Sequence, residues 1–315
     1  MKKFNLIVST TLALTMIATP MMAEDKIKIG FTTITLGDRF FVRLQDGMTK
    51  EAAKLGVDVT FQNPDGDPKS QFSAIENFMT EGTKVVIVDA IDPNGIQPAL
   101  KAATAAGVKT IAVDEVLQGF PNVDAGVGLD NYNFGAEIAK RVLDYFEVHN
   151  LGKVYVGDIH TLDAPIENTR SKGFADFVKA HSEDMEIVGT VDAKFSIQEA
   201  NKGAENLMTA NPQLNLFFGS GGNYVIGALS AIRNQGKVDD VKIAGLDFNE
   251  QLVKALQDGI YVVAAETNPE EMGAKAIEVA VKLAKGEKVD PQTTVPVRFR
   301  TADDLDYLKA TYNGQ

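Results

Sequence analysis

Cysteine and tryptophan are absent from these 315 residues, and histidine occurs only as His149, His160 and His181. Without cysteine there is no disulfide, no thiolate metal site, no cysteine nucleophile and no lipid-bearing cysteine behind an export signal. Without tryptophan, stacking on a ligand ring falls to phenylalanine or tyrosine. The three histidines lack close metal-ligand spacing, and no Gly-x-Ser-x-Gly turn is present, so the common hydrolytic signatures are missing. Positive charge is scarce as well: 31 Lys and Arg face 43 Asp and Glu, a net charge of −12. Nucleic acid needs a basic footprint and is not an expected partner.

Long apolar runs are confined to the start of the chain. Lys2 and Lys3 precede a mostly apolar stretch from Leu6 to Ile17, and Thr19-Pro20-Met21-Met22-Ala23 ends on a small residue. This is the pattern of a secretory signal peptide over residues 1–23, with cleavage expected after Ala23. The stretch is short for a spanning helix, which takes roughly 20 residues. Its removal takes two lysines and no acid, which deepens the negative balance. With 44% hydrophobic and 23% charged residues the whole chain has the composition of an ordinary globular protein, and the part beyond the signal is long enough for two domains.

Beyond the signal, compact β-branched runs alternate with amphipathic segments. Strands are expected at 26–32, 57–61, 84–88 and 109–113, and again at 153–156, 186–191, 214–218, 241–246 and 260–265. Helices are expected at 39–55, 69–81, 93–106, 131–148, 165–180, 196–210, 224–235 and 269–285. Asp92-Pro93 and Asn268-Pro269 each read as a cap followed by proline in the first turn, and Ser196-Ile197-Gln198-Glu199 as a capping box. Such alternation implies an α/β fold with parallel sheets covered on both faces. No flexible linker divides the halves; the expected joint is Gly126-Val127-Gly128-Leu129-Asp130.

The carboxyl ends of the strands, where open α/β sheets bind ligands, are acidic. Asp89, Asp114-Glu115, Asp247 and Glu266-Thr267 each follow an apolar strand. Any one of these acids is equally explained as a helix cap, but four such ends in one chain favour a site. Carboxylates suit a hydroxyl-rich ligand because each accepts from two hydroxyls, in charge-assisted bonds of roughly 1.5–3 kcal/mol. Phe40-Phe41 offers one ring to a ligand and one to the core, and Phe195 and Tyr224 are weaker stacking candidates, Phe195 reading equally as a hydrophobic staple. Arg170 supplies a planar guanidinium suited to a ring oxygen or paired hydroxyls.

Phe40-Phe41-Val42-Arg43-Leu44-Gln45-Asp46-Gly47, Asp114, Arg170-Ser171-Lys172-Gly173-Phe174, Gly227-Ala228-Leu229, Gly245-Leu246-Asp247 and Asn268-Pro269 occur in an order that resembles the type I sugar-binding proteins of ABC transporters, the ribose-binding group in particular. The resemblance runs over essentially the whole chain beyond the signal. It implies two doubly wound lobes joined by a three-crossing hinge: residues 24–129 with about 267–292 in one, 130–266 with about 293–315 in the other. It implies ligand contacts at Phe40, Phe41, Asp114, Arg170, Phe195 and Asp247. It also implies a periplasmic, monomeric binder that passes a sugar or polyol to a membrane permease and needs no cofactor.

The departures from the ribose pattern concern the ligand. Glu115 stands where that group has arginine, Asp89 and Asp38 where it has asparagine, and Thr267 where it has glutamine. Its remaining asparagine falls on Gly221 within Ser220-Gly221-Gly222-Asn223, and Asn223 is counted with the site. Fewer bases and more acids favour a hexose, a cyclitol or an amine-bearing ligand over ribose. Residues 57–99 also resemble furanose-like autoinducer binders, which keeps that class open, as does a sensing role beside transport. Asn63-Pro64-Asp65-Gly66-Asp67-Pro68 departs from a calcium loop, with Pro for the required Gly and Ala74 for the required Glu. Clustered carboxylates are also what a glycosidase uses, so an enzyme is the competing class.

Overall fold

Val85-Val86-Ile87-Val88 is buried on both faces, as the central strand of a covered parallel sheet must be. Around it the computed structural model describes residues 26–37, 39–114 and 121–314. The expected signal peptide therefore lies outside the described residues, as do Asp38 and Glu115.

The chain begins β1 (Lys28–Thr32), α1 (Arg39–Leu55), β2 (Asp58–Gln62), α2 (Pro68–Thr80), β3 (Val85–Val88), α3 (Gln97–Ala105), β4 (Lys109–Val113) and β5 (Ala125–Gly128). It continues α4 (Asn131–Val148), β6 (Val154–His160), α5 (Pro165–Ala180), β7 (Met185–Asp192), α6 (Ile197–Ala210), β8 (Leu216–Gly219) and α7 (Gly222–Asn234). It closes with β9 (Lys242–Leu246), α8 (Glu250–Gln257), β10 (Tyr261–Glu266), α9 (Pro269–Ala284), β11 (Gln292–Thr294), β12 (Arg298–Arg300) and α10 (Leu305–Tyr312).

Two six-stranded sheets result, ordered β11-β5-β4-β3-β1-β2 and β12-β10-β9-β8-β6-β7. The first is parallel throughout. In the second, β12 runs antiparallel to β10, because only three residues separate it from β11 and no crossover helix can turn it. Each sheet is covered on both sides. The α1 and α9 side chains fill one face of the first sheet, and α2 and α3 the other. The second sheet has α4 and α5 on one face and α6, α7, α8 and α10 on the other. This is the two-lobe α/β architecture expected. Among the described residues no helix is long and apolar enough to cross a membrane.

The chain passes between the sheets three times: after β5, after β10, and between Thr294 and Arg298. Two local expectations need correction. Gly126 to Gly128 do not form the joint; they are strand β5, paired between β4 and β11, and the passage begins only at Leu129. Pairing of β11 with β5 holds residues 292–294 on the first sheet. Asp92 does not cap α3. Its Oδ1 accepts from the amides of Asn94 and Gly95 (3.0 and 2.9 Å), closing a turn that delays the helix to Gln97. The other cap-then-proline start holds: Asn268 accepts from the amide of Glu271 (3.2 Å) and Pro269 opens α9.

The order reverses between β1 and β3 in one sheet and between β6 and β8 in the other. Crevices open beyond the carboxyl ends of strands at such points.

Candidate functional site

Arg170 lies in α5, whose early turns pack on α4. A Cβ added to Gly135 would stand 1.9 Å from the Arg170 carbonyl oxygen, and one added to Gly173 2.0 Å from that of Tyr132. Backbone meets backbone there, which fixes the position of the arginine. Its guanidinium is buried, donates from Nε to Asn131 Oδ1 (2.7 Å) and from Nη1 to the Ser220 carbonyl (3.0 Å), and lies over the Phe134 ring. Burial draws its pKa below the usual arginine value, while the carboxylates of Asp114, Asp247 and Glu167 pull it back up.

Asp114 comes from the end of β4 in the first sheet, and Asp247 from the end of β9 in the second. Asp247 is held on one side by Thr267, whose hydroxyl donates to its Oδ1 at 3.4 Å. On the other side it approaches Gly222, where an added Cβ would stand 2.9 Å from Oδ2. Arg170 thus lies within electrostatic reach of Asp114, Asp247 and Glu167, and Thr267 touches Asp247.

The remaining sequence candidates distribute as follows. Asp89, fully buried after β3, donates its amide to the Thr32 carbonyl (3.0 Å), and its own carbonyl accepts from Gln71 Nε2 (2.7 Å). Gln71 also donates to the Thr33 carbonyl and accepts from the Ile91 amide, tying the ends of β1 and β3 together. Phe41 packs in the first core, and Phe40 meets it edge-on at 5.2 Å while remaining half-buried.

Phe195 is 62% exposed, so it is not a staple under α6. With Lys194 it takes left-handed backbone (φ +58° and +48°), an arrangement that side-chain residues adopt at a cost. Its amide donates to Thr161 Oγ1 (2.8 Å) and its carbonyl accepts from Asn223 Nδ2 (3.4 Å). Asn223 therefore braces the loop that carries Phe195. Tyr224 is no stacking residue: its ring is 1% exposed in the second core.

Sequence reasoning passed over Asn131, Glu167 and Gln71. Asn131 and Glu167 sit in the first turns of α4 and α5, where Asn and Glu are ordinary helix-start residues, so nothing in their spacing set them apart. Behind the site, His160 Nδ1 lies 3.2 Å from Asp158 Oδ2, and Ser171 donates to Asp158 Oδ1 (3.1 Å). Burial lowers the His160 pKa, but the hydrogen bond and charge of Asp158, with Glu167 and Asp192, leave it raised overall.

Asp67 of the acidic loop caps α2, accepting from the amides of Lys69 and Ser70, and Asn63 accepts from the amides of Leu36 and Asp65. Among the described residues no three His, Asp or Glu side chains gather as a metal site.

The arrangement is rich in acceptors, contains one buried planar donor, and carries an exposed ring at one edge. It is suited to a small polyhydroxylated molecule.

Comparison with known proteins agrees with this geometry. The family model described as periplasmic binding protein domain matches residues 29–288. The ribose import binding protein of Salmonella typhimurium is 29% identical over 300 residues, covering 95% of this chain and 98% of its own length. The solved ABC transporter solute-binding protein of Actinobacillus succinogenes, with D-allose bound, superposes at TM-score 0.77 with 22% identity, covering 90% of this chain and all of that one. Its Bacillus halodurans counterpart, with myo-inositol bound, gives 0.76 with 24% identity over 91% of this chain and 98% of that one. With two α/β lobes, three passages between them and acidic strand ends gathered around Arg170, the chain belongs to the periplasmic binding protein family, in its type I form.

Proposed function

We propose that this protein captures a monosaccharide or related polyol between its two lobes and delivers it to the membrane permease of an ABC transporter. The observation that carries the reading is the placement of Arg170. A guanidinium from the second lobe feels a carboxylate of the first, Asp114, together with Asp247 of its own lobe. A ligand that hydrogen-bonds to all three makes contacts only the closed form completes, and so favours closure. Phe40 and Phe195 flank the ring faces, and Asp89 and Thr267 complete the polar lining. The ribose, allose and myo-inositol named for the relatives support this ligand class.

On this reading the lobes comprise residues up to Leu129 with 267–294, and 130–266 with the remainder. The three passages form the hinge. The protein acts as a monomer in the periplasm after cleavage behind Ala23, and it binds rather than converts its ligand. The kinship with solute-binding transport proteins supports that last point.

A thermal-shift panel of D-ribose, D-allose, D-glucose, myo-inositol and D-glucosamine tests the reading. A ligand at about a thousand times its dissociation constant stabilises by roughly 4 kcal/mol, a shift of several degrees. Silence across the panel, with the protein folded, refutes the ligand class.

A further inference from the structure

Glu167 stands in the first turn of α5, one turn before Arg170, and is half-exposed. One of its two carboxylate oxygens is fully engaged by the protein. Oε2 accepts from the hydroxyl of Tyr224 at 2.6 Å and from the amide of Thr161 at 3.0 Å. The Tyr224 hydroxyl also lies 2.9 Å from Thr161 Oγ1, which accepts in turn from the amide of Phe195. Tyr224 is buried in the second core, so the carboxylate is pinned to a rigid support rather than left to sample rotamers.

The second oxygen has no such engagement: among the described residues no hydrogen bond reaches Oε1. It lies 3.6 Å from where a Cβ on Gly221 would stand, while Asp247 Oδ2 occupies the corresponding place beside Gly222. The two glycines keep the approach to both carboxylates clear. Because the Ser220 carbonyl just before them accepts from Arg170, this is the wall of the site already described.

We propose that Glu167 is a specificity-determining ligand contact, its Oε1 accepting from a donor on the bound molecule, either a ring hydroxyl or an ammonium. The assignment rests on the binding role given above and adds a residue to it. Locking Oε2 supplies the selectivity: a carboxylate free to rotate adjusts to a misplaced donor, whereas a pinned one demands the donor at a fixed point. The contact is an acceptor only, so a ligand lacking a donor there leaves a desolvated carboxylate facing it and is rejected. Phe195 is fixed by the same Thr161 hydroxyl, which sets the donor position relative to the exposed ring.

The test is calorimetric titration of wild type, Glu167→Gln and Tyr224→Phe with D-ribose, D-allose, D-glucose, myo-inositol and D-glucosamine, beside the unfolding temperature of each ligand-free protein. For Glu167→Gln the expected result is about a tenfold or greater loss of affinity for the best wild-type ligand, with ligand-free stability little changed. A loss shared by a neutral sugar or cyclitol identifies the donor as a hydroxyl, and a loss confined to D-glucosamine identifies it as an ammonium. Tyr224→Phe, which removes one of the two bonds that hold Oε2 and keeps the charge, is expected to narrow the affinity ratio between the best and second-best ligands. Affinities of Glu167→Gln within twofold of wild type for every probe that binds overturn the assignment and leave the binding role standing. Absence of binding to wild type by every probe overturns both.

Discussion

Asp114 and Asp247 occupy matching places in the two lobes: each follows a strand, β4 or β9, and each takes left-handed backbone, at φ +59° and +72°. Their amides are tied to the neighbouring strand in the same way, Asp114 to the Val127 carbonyl (3.0 Å) and Asp247 to that of Ala265 (2.8 Å). A non-glycine residue in this region costs roughly 1–2 kcal/mol, less for aspartate than for most. Both lobes thus hold a carboxylate toward Arg170 at some expense in stability, as binding sites commonly do.

Asp114→Gly relieves this backbone strain but also removes a carboxylate that supports the charge of buried Arg170, so the two effects oppose and ligand-free stability is expected to change by no more than about 1 kcal/mol. The substitution is also expected to lower affinity at least tenfold. Urea unfolding and calorimetric titration read stability and affinity separately, and a variant destabilised well beyond that limit, or one fully able to bind, contradicts the account.

Arg170→Lys keeps the charge but lacks the planar fork that reaches Asn131 and the Ser220 carbonyl together. Leaving one of these buried acceptors without its donor is expected to cost about 1–3 kcal/mol. Denaturant midpoints measure that loss. Affinity for the best sugar should fall more than tenfold, and an unchanged midpoint would show that the guanidinium's second bond contributes nothing.

His160 is expected to make the stability depend on pH. Its folded pKa is raised above the unfolded value of 6.5, with Asp158, Glu167 and Asp192 facing it. The protonated ring thus stabilises the fold fully below about pH 6.5, and the contribution fades as pH climbs through the folded value. His160→Gln is expected to flatten the decline in unfolding free energy over that window, measured by urea titration from acid to mildly alkaline pH.

The strand ends were legible because apolar β-branched runs that stop at a carboxylate are written locally: Asp89, Asp114 and Asp247 all follow such runs. Strand β5 was not, because Ala-Gly-Val-Gly has the composition of a turn and becomes a strand only through pairing with β4 and β11. The short elements β11, β12 and α10 share that dependence on distant partners. In the site, Arg170 was identified through the segment around it. Glu167 was not: an acid in the first turn of a helix is satisfied by the helix dipole alone. What distinguishes it, the Tyr224 hydroxyl against Oε2, comes from a residue 57 positions away.

The first sheet takes its edge strand β11 and the helix α9 from the far end of the chain, and Met272, Ala276, Ile277 and Ala280 complete its core. A chain emerging from the ribosome therefore cannot close that core until residues beyond 294 are available. Until then the α1 face of Leu44 and Met48 lacks its partner, so the early segments stay unable to lock into a native lobe. Topology alone thus sets the order of events: the first lobe reaches its native packing only after nearly the whole chain has been made.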